Sequence, residues 1–153
     1  MNTTELLKQG EERHCVLIKN DDVHATLGSV PTQGKKLLEP IKTLSKTFQV
    51  PFNILEDKEV LNEAEVHIHE ADLWQCIEGE VTFIYGGEMV NPWFKKNKDG
   101  TEDTREIKAK EIRGGTTSIL KPGDWLWIPA GIPHQHICAK TARLIIIKIP
   151  EKK

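Results

Sequence analysis

The sequence predicts an all-β domain with a small helical segment at its N-terminus, and three observations carry that reading. Beyond Pro51, short stretches rich in β-branched and aromatic residues recur at 52–55, 65–69, 73–77, 81–85, 116–120, 124–128, 134–138 and 143–149. Gly, Pro and Asn punctuate them, and no stretch of helical period separates them, which is the pattern of an antiparallel sandwich or barrel. A chain of 153 residues is also long enough to bury one hydrophobic core without disulfides.

Element by element, Asn2 and Glu5 form a capping-box pattern, with Gly10 closing a short helix after Gln9. Leu37, Ile41, Leu44 and Phe48 recur at three- and four-residue intervals and predict an amphipathic helix over 37–48, with Pro40 in its first turn. Residues 1–50 are therefore read as a helical extension packed on the barrel and 51–153 as the barrel itself. The segment 86–115 exceeds what a minimal barrel needs. Asp99-Gly100 is a hairpin signal, and Gly86-Gly87 and Gly114-Gly115 bracket the segment as hinges. Trp93 and Phe94 give it apolar contacts suited either to a lid or to a solvated excursion.

Composition narrows the partners. Charged residues make up 29% of the chain but nearly cancel, leaving a formal net charge of −2, too weak a field for nucleic acid or an anionic membrane. The first residues lack a basic stretch followed by an apolar one, and no apolar run approaches a membrane span, so a soluble cytoplasmic protein is expected. Cys15, Cys76 and Cys138 are an odd, widely spaced set, expected as reduced thiols mostly in the core.

Four of the six histidines fall in two His-x-His pairs, His67-Ile68-His69 and His134-Gln135-His136. On a strand, alternate side chains share a face, so each pair aims two imidazoles at one point. The second pair ends the stretch Lys121-Pro122-Gly123-Asp124-Trp125-Leu126-Trp127-Ile128-Pro129-Ala130-Gly131-Ile132-Pro133. The first leads into Asp72, Leu73, Trp74, Gln75, Cys76, Ile77, Glu78 and Gly79.

These two stretches resemble the two motifs of the cupin superfamily, and the resemblance covers roughly residues 65–149. Gly123, Pro129, Gly131 and His134 match the second motif position for position. The first motif follows its His-x-His pair with a carboxylate, six intervening residues and a Gly; counting back from Gly79 gives Asp72, with a shorter spacer than usual and Asp in place of Glu. Glu70 competes, but strand alternation points it away, whereas a tight turn after His69 brings Asp72 inward. Cys138 stands where cupins commonly carry Asn. The resemblance implies a jelly-roll barrel, a subset with a long insertion between the motifs, and a metal held by His67, His69, Asp72 and His134.

Three imidazoles and a carboxylate leave positions open on one divalent transition metal, with Fe, Mn, Ni, Co and Zn all suited. Trp74, Cys76, His136 and Cys138 are expected to line the pocket, giving an apolar wall with few charges. His136 is open among a further ligand, a proton carrier and a wall residue. Trp125 and Trp127 share a face suited to packing sheet on sheet or subunit on subunit. The function expected is metal-dependent chemistry on a small oxygenated organic metabolite, of dioxygenase or isomerase type. The alternative is a non-catalytic small-molecule binder or sensor with a bound metal. Exposed β-edges and tryptophans make a homodimer the expected assembly.

Overall fold

The computed structural model describes residues 2–8 and 14–151. Helix α1 (Thr3–Lys8) begins with the capping box read from sequence: the Asn2 amide donates to Glu5 Oε2 at 2.9 Å and the Glu5 amide to Asn2 Oδ1 at 3.0 Å. The Gln9-Gly10 stop lies outside the described residues. Helix α2 (Asn20–Leu27) follows, an element with no sequence signature because its apolar face is only Val23 and Leu27. Strand β1 (Gly34–Leu37) and helix α3 (Ile41–Phe48) divide the segment read as one helix. Pro40 is the residue before the helix rather than inside its first turn, and Leu37 sits on a strand. Ile41 is buried while Phe48 is exposed.

The remaining strands are β2 (Phe52–Leu61), β3 (Ala64–His67), β4 (Glu70–Glu78), β5 (Val81–Tyr85), β6 (Glu88–Met89) and β7 (Trp93–Lys96). Then come β8 (Glu102–Ala109), β9 (Ile112–Arg113), β10 (Thr116–Leu120), β11 (Trp125–Ile128) and the long β12 (His134–Pro150). All pair antiparallel, and the architecture is an all-β, curled jelly-roll barrel with helices attached through its N-terminal residues.

β12 shows how the sheet curls. Along one edge it pairs with β3 at His134 and with β2 from Ile137 to Ile147; along the other it pairs with β5 from His134 to Ile137 and with β4 from Arg143 to Pro150. A flat strand has two neighbours, so four neighbours require β12 to bend from one face of the barrel to the other, and a register shift between Cys138 and Thr141 marks the bend. The β4–β5 turn nestles against that shift. Gly79 has φ of 72°, and a Cβ there would collide with the Thr141 carbonyl, so only glycine fits.

Side-chain alternation on β2 separates two apolar clusters. Leu55 faces the barrel interior with Trp74, Cys76, Phe83, Leu144 and Ile146. Ile54 faces the other way and packs with Leu38 and Ile41, joined by Ile18, Val23 and Leu27. A buried ion pair ties the helices to the barrel: Arg143 Nε donates to Glu56 Oε1 at 2.9 Å, and the same guanidinium donates to the carbonyls of Leu27 and Ser29 at the end of α2.

The segment 86–115 is ordered. β6 and β9 pair at its base, and β7 and β8 form a hairpin around Asp99-Gly100, where the Asn97 amide donates to the Thr101 carbonyl at 2.8 Å. β8 pairs with β3, setting Glu106 opposite His67, so the insertion extends the sheet beside the first histidine. No helix among the described residues is long and apolar enough to cross a membrane.

Candidate metal centre and its cavity

β3 carries Glu65 and His67 on one face, and the start of β12 sets His134 opposite Glu65 in the ladder. Consequently the donor atoms of Glu65, His67 and His134 lie within 4.8 Å of one another. His67 Nε2 is 3.4 Å from Glu65 Oε2, and His134 Nε2 is 4.0 Å from it. Asp72, buried on β4, closes the other side, its Oδ2 lying 3.3 Å from His134 Nε2 and 3.7 Å from His67 Nε2.

A tetrahedral ion with bonds of about 2.0–2.1 Å sets its donors about 3.4 Å apart, and these spacings bracket that value. Two imidazoles with carboxylate oxygens suit any of the transition metals considered above. The His134 Nδ1 faces the Ile132 carbonyl at 3.1 Å; a carbonyl only accepts, so Nδ1 carries the proton and Nε2 presents its lone pair to the cluster. Nε2 of His134 and Oδ2 of Asp72 are both buried with no hydrogen-bond partner among the described residues. Buried polar atoms are normally satisfied, and a cation between them would do so. The residues fit a metal.

A resident positive charge competes for the same groups. Lys148, paired with Asp72 across the β12–β4 ladder, donates from Nζ to Asp72 Oδ1 at 2.6 Å and lies 3.2 Å from His67 Nε2. Burial opposes ionisation of Asp72, but the adjacent His134 and the Lys148 charge outweigh it and hold the carboxyl down at about 2. At Glu65 burial likewise opposes ionisation, and the adjacent His67 with the charges of Lys35 and Lys108 holds the carboxyl well below its usual range. Both carboxylates are ionised and ready for a cation.

The other residues singled out from sequence fall in different places. The chain bends at Ile68 and His69, so strand alternation stops at His67 and His69 turns outward to an exposed position beside Arg105 and Pro150. That bend is the tight turn that brings Asp72 inward, and Glu70 is left exposed. Trp74 lines the cavity next to His67. Cys76 and Cys138 sit in the barrel core, where burial pushes the Cys76 thiol up to about 11 and raises that of Cys138. His136 is buried between Trp74 and Phe83, with ring centroids 5.2 Å and 5.4 Å away, and its Nδ1 pairs with the buried Asp57 and contacts Asn62. Trp125 and Trp127 are half exposed on β11.

Glu65 is the donor that the sequence reading did not select. The signal was present, because Glu65 and His67 are two apart on one strand face.

A cavity of about 700 Å³ opens over the cluster. Its wall was expected to be apolar with few charges; instead six lysines and three glutamates line it, beside Leu37, Leu55, Trp74 and Ile146. The reason is that elements outside the two motifs supply the rim: Lys35 and Lys36 come from β1, Lys42 from α3, Lys95 from β7 and Lys108 from β8. Trp93 and Phe94 face a separate small apolar depression of about 160 Å³ with Pro92 and Ile107.

Fold and cluster together define a curled antiparallel β-barrel with a candidate metal centre. No protein-family model matches the chain, and no curated protein sequence does. Among solved structures, it is similar to hydroquinone 1,2-dioxygenase from Sphingomonas sp. TTNP3 with 4-hydroxybenzoate bound, at 12% identity and TM-score 0.48, covering 92% of this chain and 84% of that one. It is also similar to FeII HppE, at 13% identity and TM-score 0.48, covering 88% of this chain and only 60% of that one. A third is dTDP-4-dehydrorhamnose 3,5-epimerase from Elizabethkingia anophelis NUHP1, at 14% identity and TM-score 0.44, covering 82% and 74% respectively. The fold is defined by the strand pairing of this chain, and its chemistry by the site.

Proposed function

We propose that the chain is a metal-dependent enzyme of the cupin type acting on a small oxygenated organic metabolite, by dioxygenase or isomerase chemistry. The observation that carries this is the convergence of Glu65, His67 and His134, with Asp72 against both imidazoles, where Glu65 and His67 line a cavity large enough for such a molecule. One divalent transition metal held by these side chains would supply Lewis acidity or a site for oxygen activation. The chain's own residues do the rest. The Ile132 carbonyl fixes the ring of His134, the ionised Glu65 and Asp72 supply negative charge, and Trp74 and Ile146 keep water from one wall.

A second reading is favoured by Lys148. Its ammonium already sits between Asp72 and His67, so the cluster is also arranged to hold a ligand without turnover, as a binder or sensor. Fold alone does not separate the two.

Elemental analysis of the purified chain beside Glu65→Gln, His67→Ala, His134→Ala and His69→Ala tests the proposal. About one transition metal per chain is expected, lost in the first three variants and kept in His69→Ala. A chain devoid of metal after loading with Mn, Fe, Co, Ni and Zn, with melting unaffected by chelation, contradicts it. Retention in all three cluster variants contradicts it equally.

A further inference from the structure

The charge around the cavity does not match a neutral substrate. Six lysines face three glutamates in its lining, and three of the six are paired with the same carboxylates that the proposed metal would claim. Glu65 Oε1 accepts from Lys35 and from Lys108, each at 3.1 Å. Asp72 accepts from Lys148 at 2.6 Å. Lys95 pairs with Glu106 at 3.0 Å, while Lys42 makes no ion pair among the described residues.

If Glu65 and Asp72 give their charge to a divalent ion, then Lys35 and Lys148 lose the charge that balances them, and Lys108 keeps only Glu106 at 3.7 Å, a carboxylate it shares with Lys95. Four ammonium groups, Lys42 included, then surround one cavity beside a metal. Lysines act there as point charges without the fork geometry of arginine, and a concave, partly desolvated site of one sign concentrates counter-ions. Trp74 adds a neutral donor: it is 3% exposed, lines this cavity, and its Nε1–H is buried without an acceptor. Leu37, Leu55 and Ile146 leave an apolar surface for a short carbon skeleton.

We infer that the ligand of this cavity is a small organic polyanion carrying at least two anionic oxygen groups, carboxylate or phosphate, and that it binds cooperatively with the metal. The inference rests on the proposed metal reading and names its substrate class. Reciprocity follows from linkage: whatever factor the anion contributes to metal affinity, the metal contributes to anion affinity.

The test uses the full chain and Co(II), with succinate, inorganic phosphate and the neutral diamide succinamide as probes. Co(II) affinity is measured by competition with a chromogenic chelator in the presence and absence of each. Succinate or phosphate is expected to tighten Co(II) binding by about fivefold or more, and succinamide to leave it unchanged. A response to succinate alone assigns carboxylates, a response to phosphate alone assigns phosphate, and both support the polyanion. The double variant Lys35→Gln/Lys108→Gln is expected to bind Co(II) yet lose the response, and Lys35→Arg/Lys108→Arg to keep it. One Co(II) per chain with no response to either anion overturns this inference and leaves the metal reading standing, as does an equal response to succinamide or an undiminished response in the Gln variant. A chain that binds no Co(II) overturns both.

Discussion

Lys148 is the residue on which the balance of the site turns. Its ammonium holds Asp72 ionised and sits within hydrogen-bond distance of His67 Nε2, so a metal must displace positive charge to take either group. Lys148→Met removes that competition while keeping much of the side-chain volume. Co(II) affinity is expected to rise by about tenfold, equivalent to about 1.4 kcal/mol, when titrated against a competing chelator. A fall instead would show Lys148 assisting metal binding. At this scale sequence was informative where strand alternation held and silent where it broke. His67, His134 and Asp72 were legible from spacing and converge in the structure, while His69 leaves the group because the chain bends at Ile68, a feature of tertiary packing with no local signature. Glu65 was overlooked although the same alternation places it beside His67. The partner of His136 was not legible, because Asp57 is 79 residues away.

β12 is the element that couples fold to site. It carries His134 at its start, Arg143 at its centre and Lys148 near its end, and it touches β2, β3, β4 and β5. Arg143 is 3% exposed and shares with Lys36 the neutralisation of Glu56, itself fully buried. Arg143→Met leaves Glu56 with only Lys36 at 2.7 Å and frees the carbonyls at the end of α2. Removing one partner of a buried pair costs about 3–5 kcal/mol, a loss to be read from the urea midpoint. A smaller penalty of more than about 1 kcal/mol is expected for Gly79→Ala, from its left-handed backbone alone, together with the collision against Thr141. Most barrel strands were legible from β-branched and aromatic runs, and 81–85 and 116–120 match strand for strand. The N-terminal elements were not. Leu37, Ile41, Leu44 and Phe48 fit a helical period, yet Leu37 pairs with Leu55 in the β1–β2 ladder, so sheet pairing overrode local periodicity.

For the whole molecule, the charge that net composition hides is concentrated around one cavity. A formal charge of −2 could not reveal a cluster of lysines assembled from β1, α3, β7, β8 and β12. The same buried charges set the acid stability. Glu56, Glu65 and Asp72 all have folded values below their ordinary carboxylate values. Groups depressed in this way contribute stability that is complete above the unfolded value of about 4 and is lost as pH falls towards the folded one. Melting temperature is therefore expected to be flat with respect to these groups above about pH 5 and to fall from there to about pH 2. Glu65→Gln should flatten part of that slope.

The central claim, that Glu65, His67 and His134 hold one metal, is tested most directly by anomalous diffraction at the cobalt edge from crystals of the Co(II)-loaded chain. A single peak coordinated by Glu65 Oε2, His67 Nε2 and His134 Nε2, with Asp72 released from Lys148, is the predicted result. A peak centred on His69 and Glu70, or no peak within reach of His134 at full loading, would contradict the account.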